Sequence, residues 1–160
     1  MVTSQEQFDV VSASLSEVKV MVDLYPGKGA LGGIYTGLAS SDSLYNLVVG
    51  CDMPFLNRDL LRYLIGIAPG FDAVIPRIDD MYEPLHAVYT KNCLVSISEL
   101  MNQDRLEISQ LFGLVNTRYV GKEEIVIFDP QFLSFFNVNT LDDLKKTKEL
   151  LKQREHHFVI

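Results

Sequence analysis

The chain has 160 residues, of which 48% are hydrophobic and 22% charged. That composition excludes a disordered, collagen-like or mucin-like chain, and the length suits one domain that buries roughly 70% of its unfolded surface. Fourteen lysines and arginines against 21 acidic residues give a net charge of -7. Such a surface repels polyanions, which disfavours general nucleic-acid binding but leaves room for one phosphorylated small molecule.

In chain order, residues 1–4 read as the end of a strand and residues 5–15 as a helix, with Phe8, Val11 and Leu15 at helical spacing. Residues 18–23 read as a Val-rich strand. Pro26, Gly27 and Gly29 mark residues 24–31 as a loop, and a helix is expected over 32–39. A second apolar strand spans 45–49. Asn57 is placed to cap a helix through Leu60, Leu61, Leu64 and Ile65. Strands are expected at 73–76, 85–90, 117–120 and 125–128, and helices at 92–101 and 108–112. The clearest helix spans 141–152, capped by Thr140, with Leu141, Leu144, Thr147 and Leu151 on one face. This alternation argues for an α/β fold with a mainly parallel sheet. Ligands of such sheets sit at the C-terminal strand ends. The aromatic stretch Phe128, Phe132, Phe135 and Phe136 reads as core.

Cys51 and Cys93 cannot form a disulfide framework and lack metal-ligand spacing. As reduced thiols they fit a cytoplasmic protein. No apolar run reaches the roughly 18 residues of a membrane span, and the first residues do not resemble a signal peptide. Of three histidines, only His86 lies outside the C-terminal segment, and no nucleophile elbow accompanies it.

Three loops leave strands with polar or glycine residues. In Asp23-Leu24-Tyr25-Pro26-Gly27-Lys28-Gly29-Ala30-Leu31-Gly32-Gly33, a carboxylate precedes a glycine-rich turn into a helix. Its amides suit close approach to an anion, or the glycines simply relieve a tight turn. In Gly50-Cys51-Asp52-Met53-Pro54, an aspartate reaches the sheet edge. It suits a hard cation such as Mg2+, or it caps the turn that follows. In Asn137-Val138-Asn139-Thr140, alternate amides share one side of an extended segment. They suit a heteroaromatic edge or a phosphate, or they satisfy the loop and cap the helix.

In order, these segments resemble the molybdenum cofactor guanylyltransferase family, within the glycosyltransferase-A-like nucleotidyltransferases. The likeness runs from about Val2 to Leu150. Gly29-Ala30-Leu31-Gly32-Gly33-Ile34 resembles the family's Gly-Pro-Leu-Ala-Gly-Ile. Cys51-Asp52-Met53-Pro54-Phe55-Leu56 and Asn137-Val138-Asn139-Thr140 match its patterns, and Glu83-Pro84-Leu85 resembles its Gln-Pro-Leu.

The resemblance implies a Rossmann-like, three-layer nucleotidyltransferase domain over residues 1–160, with 153–160 as a flexible tail. It implies transfer of GMP from GTP to molybdopterin or the molybdenum cofactor, with release of pyrophosphate. Asp52 is the implied catalytic residue and Mg2+ ligand. Asp23, Leu31, Gly32 and Gly33 are implied on the nucleotide side with Asp52, and Asn137 and Asn139 on the pterin side. The attacking phosphate oxygen is already anionic, so positioning and charge neutralisation carry catalysis. Contact with molybdoenzymes or other cofactor-biosynthesis proteins is a further implication.

The sequence also departs from the family. Ala30 replaces proline, Gly32 replaces alanine as a mild change, and Glu83 replaces glutamine. The family's opening strand, its Leu-Ala-Gly-Gly loop and its first helix have no counterpart here. That strand lies in the middle of the family's sheet, so its two neighbours should lack a shared partner. The expectation is that this chain alone transfers GMP poorly. Two alternatives stand beside guanylyl transfer: a CTP-using molybdopterin cytidylyltransferase, and a non-catalytic pterin-binding module.

Overall fold

The computed structural model describes residues 1–15 and 17–157, with 153–157 as helix backbone only. A short opening unit pairs strand β1 (Val2–Thr3) in parallel with β2 (Met21–Val22). They are joined by a 3-10 turn and helix α1 (Phe8–Ser14). Helix α2 (Gly29–Ser40) packs on both strands and leads to β3 (Tyr45–Val49), the edge of a separate five-stranded sheet. Helix α3 (Arg58–Gly66), β4 (Ala73–Ile78), β5 (Met81–Tyr82), β6 (His86–Thr90) and α4 (Cys93–Asn102) follow. A 3-10 turn leads to β7 (Thr117–Val120), α5 (Lys122–Ile125) and α6 (Leu141–His157).

The larger sheet is mixed rather than mainly parallel. β6 lies between β3 and β4 and runs antiparallel to both, whereas β7 runs parallel to β4. Thus β3, β4 and β7 do point one way, and the reversed β6, with the short β5 antiparallel to β4, creates the antiparallel ladders. Local patterning cannot reveal such a reversal, because strand direction is set by distant pairing.

Period-two alternation divides this sheet's side chains between two faces. Ala73, Ile75, Ala87 and Tyr89 join Leu31, Ile34 and Leu38 of α2 and Ile97 and Leu100 of α4 in one core. Val74, Val88 and Val120 join Leu60 and Leu64 of α3 and Ile125 of α5 in the other. Helices therefore cover both faces, as expected for three layers. No backbone hydrogen bond among the described residues joins β3 to β1 or β2. The two sheets are therefore separate among the described residues.

Several local expectations hold at the residue level. Asn57 Oδ1 accepts from the Asp59 and Leu60 amides at 3.0 Å each. Thr140 Oγ1 accepts from the Asp143 amide at 3.1 Å, while the Thr140 amide donates to Asp143 Oδ2 at 2.9 Å. This reciprocal pair is a capping box. Phe128, Phe132 and Phe135 pack against the α3-side core.

Other expectations differ from the structure. Residues 125–128 are not a strand: α5 ends at Ile125 and a turn follows, with Phe128 N bonded to the Ile125 carbonyl at 3.0 Å. Glu123 and Glu124 favour the helix, and the Glu124 carboxylate accepts from Gly121 N at 3.2 Å. α2 starts at Gly29, earlier than Gly32, through left-handed turns at Gly27 (φ 84) and Gly29 (φ 57). On α6, Leu141, Leu144 and Leu151 are exposed. The inward side instead carries Thr147, whose hydroxyl donates to the Asp143 carbonyl at 2.8 Å. Of the expected tail, residues 153–157 continue α6, and 158–160 lie outside the described residues.

Candidate active site

The sequence-selected residues gather into two clusters at strand ends. Asp23 follows β2, and its Oδ1 accepts from the Tyr25 amide at 3.0 Å and from Thr36 Oγ1 at 2.9 Å. Thr36 is fully buried on α2 and also accepts from the Leu24 amide at 2.9 Å. The hydroxyl therefore locks both ends of the turn. Asp23 Oδ2 receives no hydrogen bond among the described residues and lies beside Gly32. A Cβ at Gly32 would come within 2.7 Å of the Tyr25 carbonyl and 3.2 Å of Asp23 Oδ2. A side chain at this position would have to displace the Tyr25 turn, so the glycine is more than a mild change.

A cavity of about 350 Å3 lies beside this cluster, lined by residues including Thr3, Asp23, Gly27 and Gly33. Gly33 has open space where a Cβ would stand. Leu31 departs from the expectation for a nucleotide-side residue: its side chain is fully buried in the core shared with α4. An apolar side chain at the first turn of an amphipathic helix is drawn into the core, and Leu31 is not among the residues that line the cavity.

Asp52 lies just beyond the end of β3. Its carboxylate receives no hydrogen bond among the described residues, so the alternative reading as a turn cap is not realised. Gly50 makes room for it, since a Cβ there would stand 2.6 Å from Asp52 Oδ1. The Asp52 carbonyl accepts from the Val138 amide at 2.9 Å. That bond brings the Asn137–Asn139 segment directly to the Asp52 loop. Asn137 Oδ1 is enclosed without a hydrogen-bond partner among the described residues. Asn139 is exposed, and its amide donates to Asp143 Oδ2 at 3.2 Å. No hydrogen bond or ring contact among the described residues joins the Asp23 cluster to the Asp52 cluster.

Sequence reading missed Thr36, whose hydroxyl holds the Asp23 turn, and the buried Ser134, whose Oγ accepts from the Asn57 amide at 3.1 Å. The available signal was a lone hydroxyl inside an apolar run, which must find a partner when buried. Glu83 is half-buried beyond β5, and desolvation raises its carboxyl above the usual range. No group of three or more His, Cys, Asp or Glu residues is placed to hold a metal among the described residues.

An α/β layer fold with a carboxylate and amide loops at its strand ends fits a nucleotidyltransferase-type domain. Residues 1–114 match the MobA-like NTP transferase domain; the chain belongs to that family. It is 36% identical over 131 residues to a probable molybdenum cofactor guanylyltransferase of Pelotomaculum thermopropionicum, covering 82% of this chain and 64% of that protein. It is 34% identical to the molybdenum cofactor guanylyltransferase of Desulfosudis oleivorans, covering 81% of this chain and 65% of that one. The chain thus spans just under two thirds of these relatives. Among solved structures, molybdopterin-guanine dinucleotide biosynthesis protein A from Archaeoglobus fulgidus superposes with a TM-score of 0.82 at 31% identity. That match covers 95% of this chain and 77% of the other. A 4-diphosphocytidyl-2C-methyl-D-erythritol synthase from Anaerococcus prevotii shares the fold at TM-score 0.68 and 17% identity.

Proposed function

We propose that this chain carries the acceptor side and part of the nucleotide side of a molybdenum cofactor guanylyltransferase. The observation that carries the reading is the Val138–Asp52 bond, which places the asparagine segment against the aspartate loop. Asp52 would hold Mg2+ together with phosphate oxygens and water. A carboxylate that accepts no hydrogen bond fits that role, because Mg2+ is commonly bound through one or two carboxylates plus substrate phosphates. When bound, Mg2+ supplies charge neutralisation at the phosphates. Asp23 Oδ2 and the first-turn amides of α2 would orient the nucleotide, with Gly33 keeping the cavity open. Asn137 and Asn139 would orient molybdopterin so that its phosphate oxygen attacks in line.

The lack of a backbone hydrogen bond between the two sheets among the described residues supports a need for a further strand before full activity is reached. A cytoplasmic setting fits the free thiols Cys51 and Cys93, and among the described residues no helix is long and apolar enough to cross a membrane. Docking to molybdoenzymes belongs to the same reading.

Pyrophosphate release tests it. The assay uses molybdopterin with Mg·GTP or Mg·CTP. It compares the chain alone with the chain preceded by a family opening strand and Leu-Ala-Gly-Gly loop. We expect weak release from the chain alone, GTP-preferring release with the added segment, and loss in Asp52→Asn. A preference for CTP would assign cytidylyl transfer. The intact Asp52–Asn137 cluster also favours a second reading, a pterin-binding module; pterin binding with no release from either nucleotide in either form would establish it.

A further inference from the structure

We propose that Ser134 and Asn57 are positioning residues, a hydrogen-bond clamp that holds Asn137 and Asn139 in register with Asp52. The inference rests on the roles proposed above for Asp52 and the asparagines. The segment after α5 has little regular structure: a 3-10 turn at Leu133–Phe135, entered through Phe132 with φ 54. Its position must therefore come from its ties to other elements.

Those ties form a closed set. The Asp129 carboxylate, only 5% exposed, accepts from the Leu133 amide at 3.2 Å and the Ser134 amide at 2.7 Å. This fixes the fully buried Ser134, whose Oγ accepts from the Asn57 amide at 3.1 Å. Asn57 Nδ2 donates to the Phe128 carbonyl at 2.8 Å while its Oδ1 caps α3. Beyond Asn137, the Val138 amide donates to the Asp52 carbonyl at 2.9 Å. The rings of Phe55 and Phe136 lie 6.0 Å apart between these anchors. Thus residues 52–57 are bonded at both ends to residues 128–138. Asn137 stands between two anchored positions, Ser134 and Val138, and its own side-chain oxygen has no partner among the described residues. The clamp, not a bond to Asn137 Oδ1, sets where Asn137 sits relative to Asp52.

Mn2+, added with GTP to supply the phosphate oxygens that share the metal, serves as the probe. In the isotopically labelled 160-residue chain, its paramagnetism should broaden resonances at residues 51–53 and, by proximity, the side-chain amides of Asn137 and Asn139. In Ser134→Ala, broadening at 51–53 should persist while that at Asn137 and Asn139 is partly lost, since the Val138–Asp52 bond remains. Ser134→Thr, which keeps the hydroxyl, should restore it. Asn57→Asp keeps a good helix cap but removes the donor to Phe128, and should give the same loss. Unchanged broadening at the asparagines in folded Ser134→Ala and Asn57→Asp would overturn the clamp. If Ser134→Ala unfolds, Asn57→Asp decides. Absence of broadening at 51–53 in the unaltered chain would instead overturn the metal reading of Asp52, and the clamp's role with it.

Discussion

No residue of β1, α1 or β2 is buried, whereas β6 is buried along its whole length and β4 from Ala73 to Pro76. Both regions are made of apolar strands joined to helices. The difference lies in their neighbours: β6 has a strand on each side and a core on each face, while among the described residues β1 pairs only with β2. Burial thus follows pairing, not hydrophobicity. The candidate site is divided along the same line. Asp52 and the asparagines belong to the well-packed body, and Asp23 belongs to the thinly packed unit. Regions with few buried contacts open at lower free energy than the core, so the Asp52–asparagine cluster is the preassembled half of the candidate site.

The strongest challenge to this comparison is a pair of truncations. Leu64 is fully buried on α3, and Leu64→Ala should cost about 2–5 kcal/mol. Val10 on α1 is 71% exposed, and Val10→Ala should stay within about 0.5 kcal/mol of the parent. Urea midpoints at constant slope measure both. Equal losses would mean that the opening unit contributes as much packing as the body.

Acid should also act on the body. His86 is fully buried against Phe135, ring centroids 4.8 Å apart, and neither ring nitrogen has a partner among the described residues. Burial lowers its pKa to about 4, and the Asp129 carboxylate pulls weakly the other way. The unfolded chain therefore takes the proton first. Stability from this group is complete above pH 6.5 and falls by up to about 3 kcal/mol as pH drops from 6.5 towards 4. His86→Leu should flatten that limb in pH-dependent urea unfolding. An identical limb in the variant would place the acid sensitivity on other groups.

Two aspartates sharpen the comparison within the body. Asp129→Asn puts an amide where two backbone N–H groups donate, and should cost about 1–3 kcal/mol. Asp52→Asn breaks no hydrogen bond of the carboxylate among the described residues, and should change stability by less than about 0.5 kcal/mol while abolishing Mn2+ broadening at 51–53. A large stability loss in Asp52→Asn would mean that its carboxylate is structural.

Local spacing made much of this legible. The Asn57 and Thr140 caps, β3 and β7 emerge with the expected residues, because caps and alternation depend on near neighbours. Asp52 and Asn137 were legible as candidates, but their junction through Val138 joins residues far apart in the chain. The same reason hides the reversal of β6 and the outward turn of Leu144, which depend on docking rather than helical period. Thr36 and Ser134 were masked by apolar and aromatic neighbours, although their hydroxyls needed partners there.

The smallest effects concern α2, the helix that links the two regions. Alanine favours a helix over glycine by about 1 kcal/mol. At Gly33 no atom lies within 4 Å of the added Cβ, so Gly33→Ala should stabilise by about 0.5–1 kcal/mol. At Gly32 the Cβ would meet the Tyr25 carbonyl at 2.7 Å. Backbone displacement of about 1–3 kcal/mol should outweigh the helix gain, leaving Gly32→Ala less stable by about 1 kcal/mol. Opposite signs in thermal or urea unfolding would show that the Tyr25 turn is held tightly against α2, and with it Asp23. If both variants are stabilised, the turn yields freely, and the orientation of Asp23 would be set by its ligand rather than by Thr36.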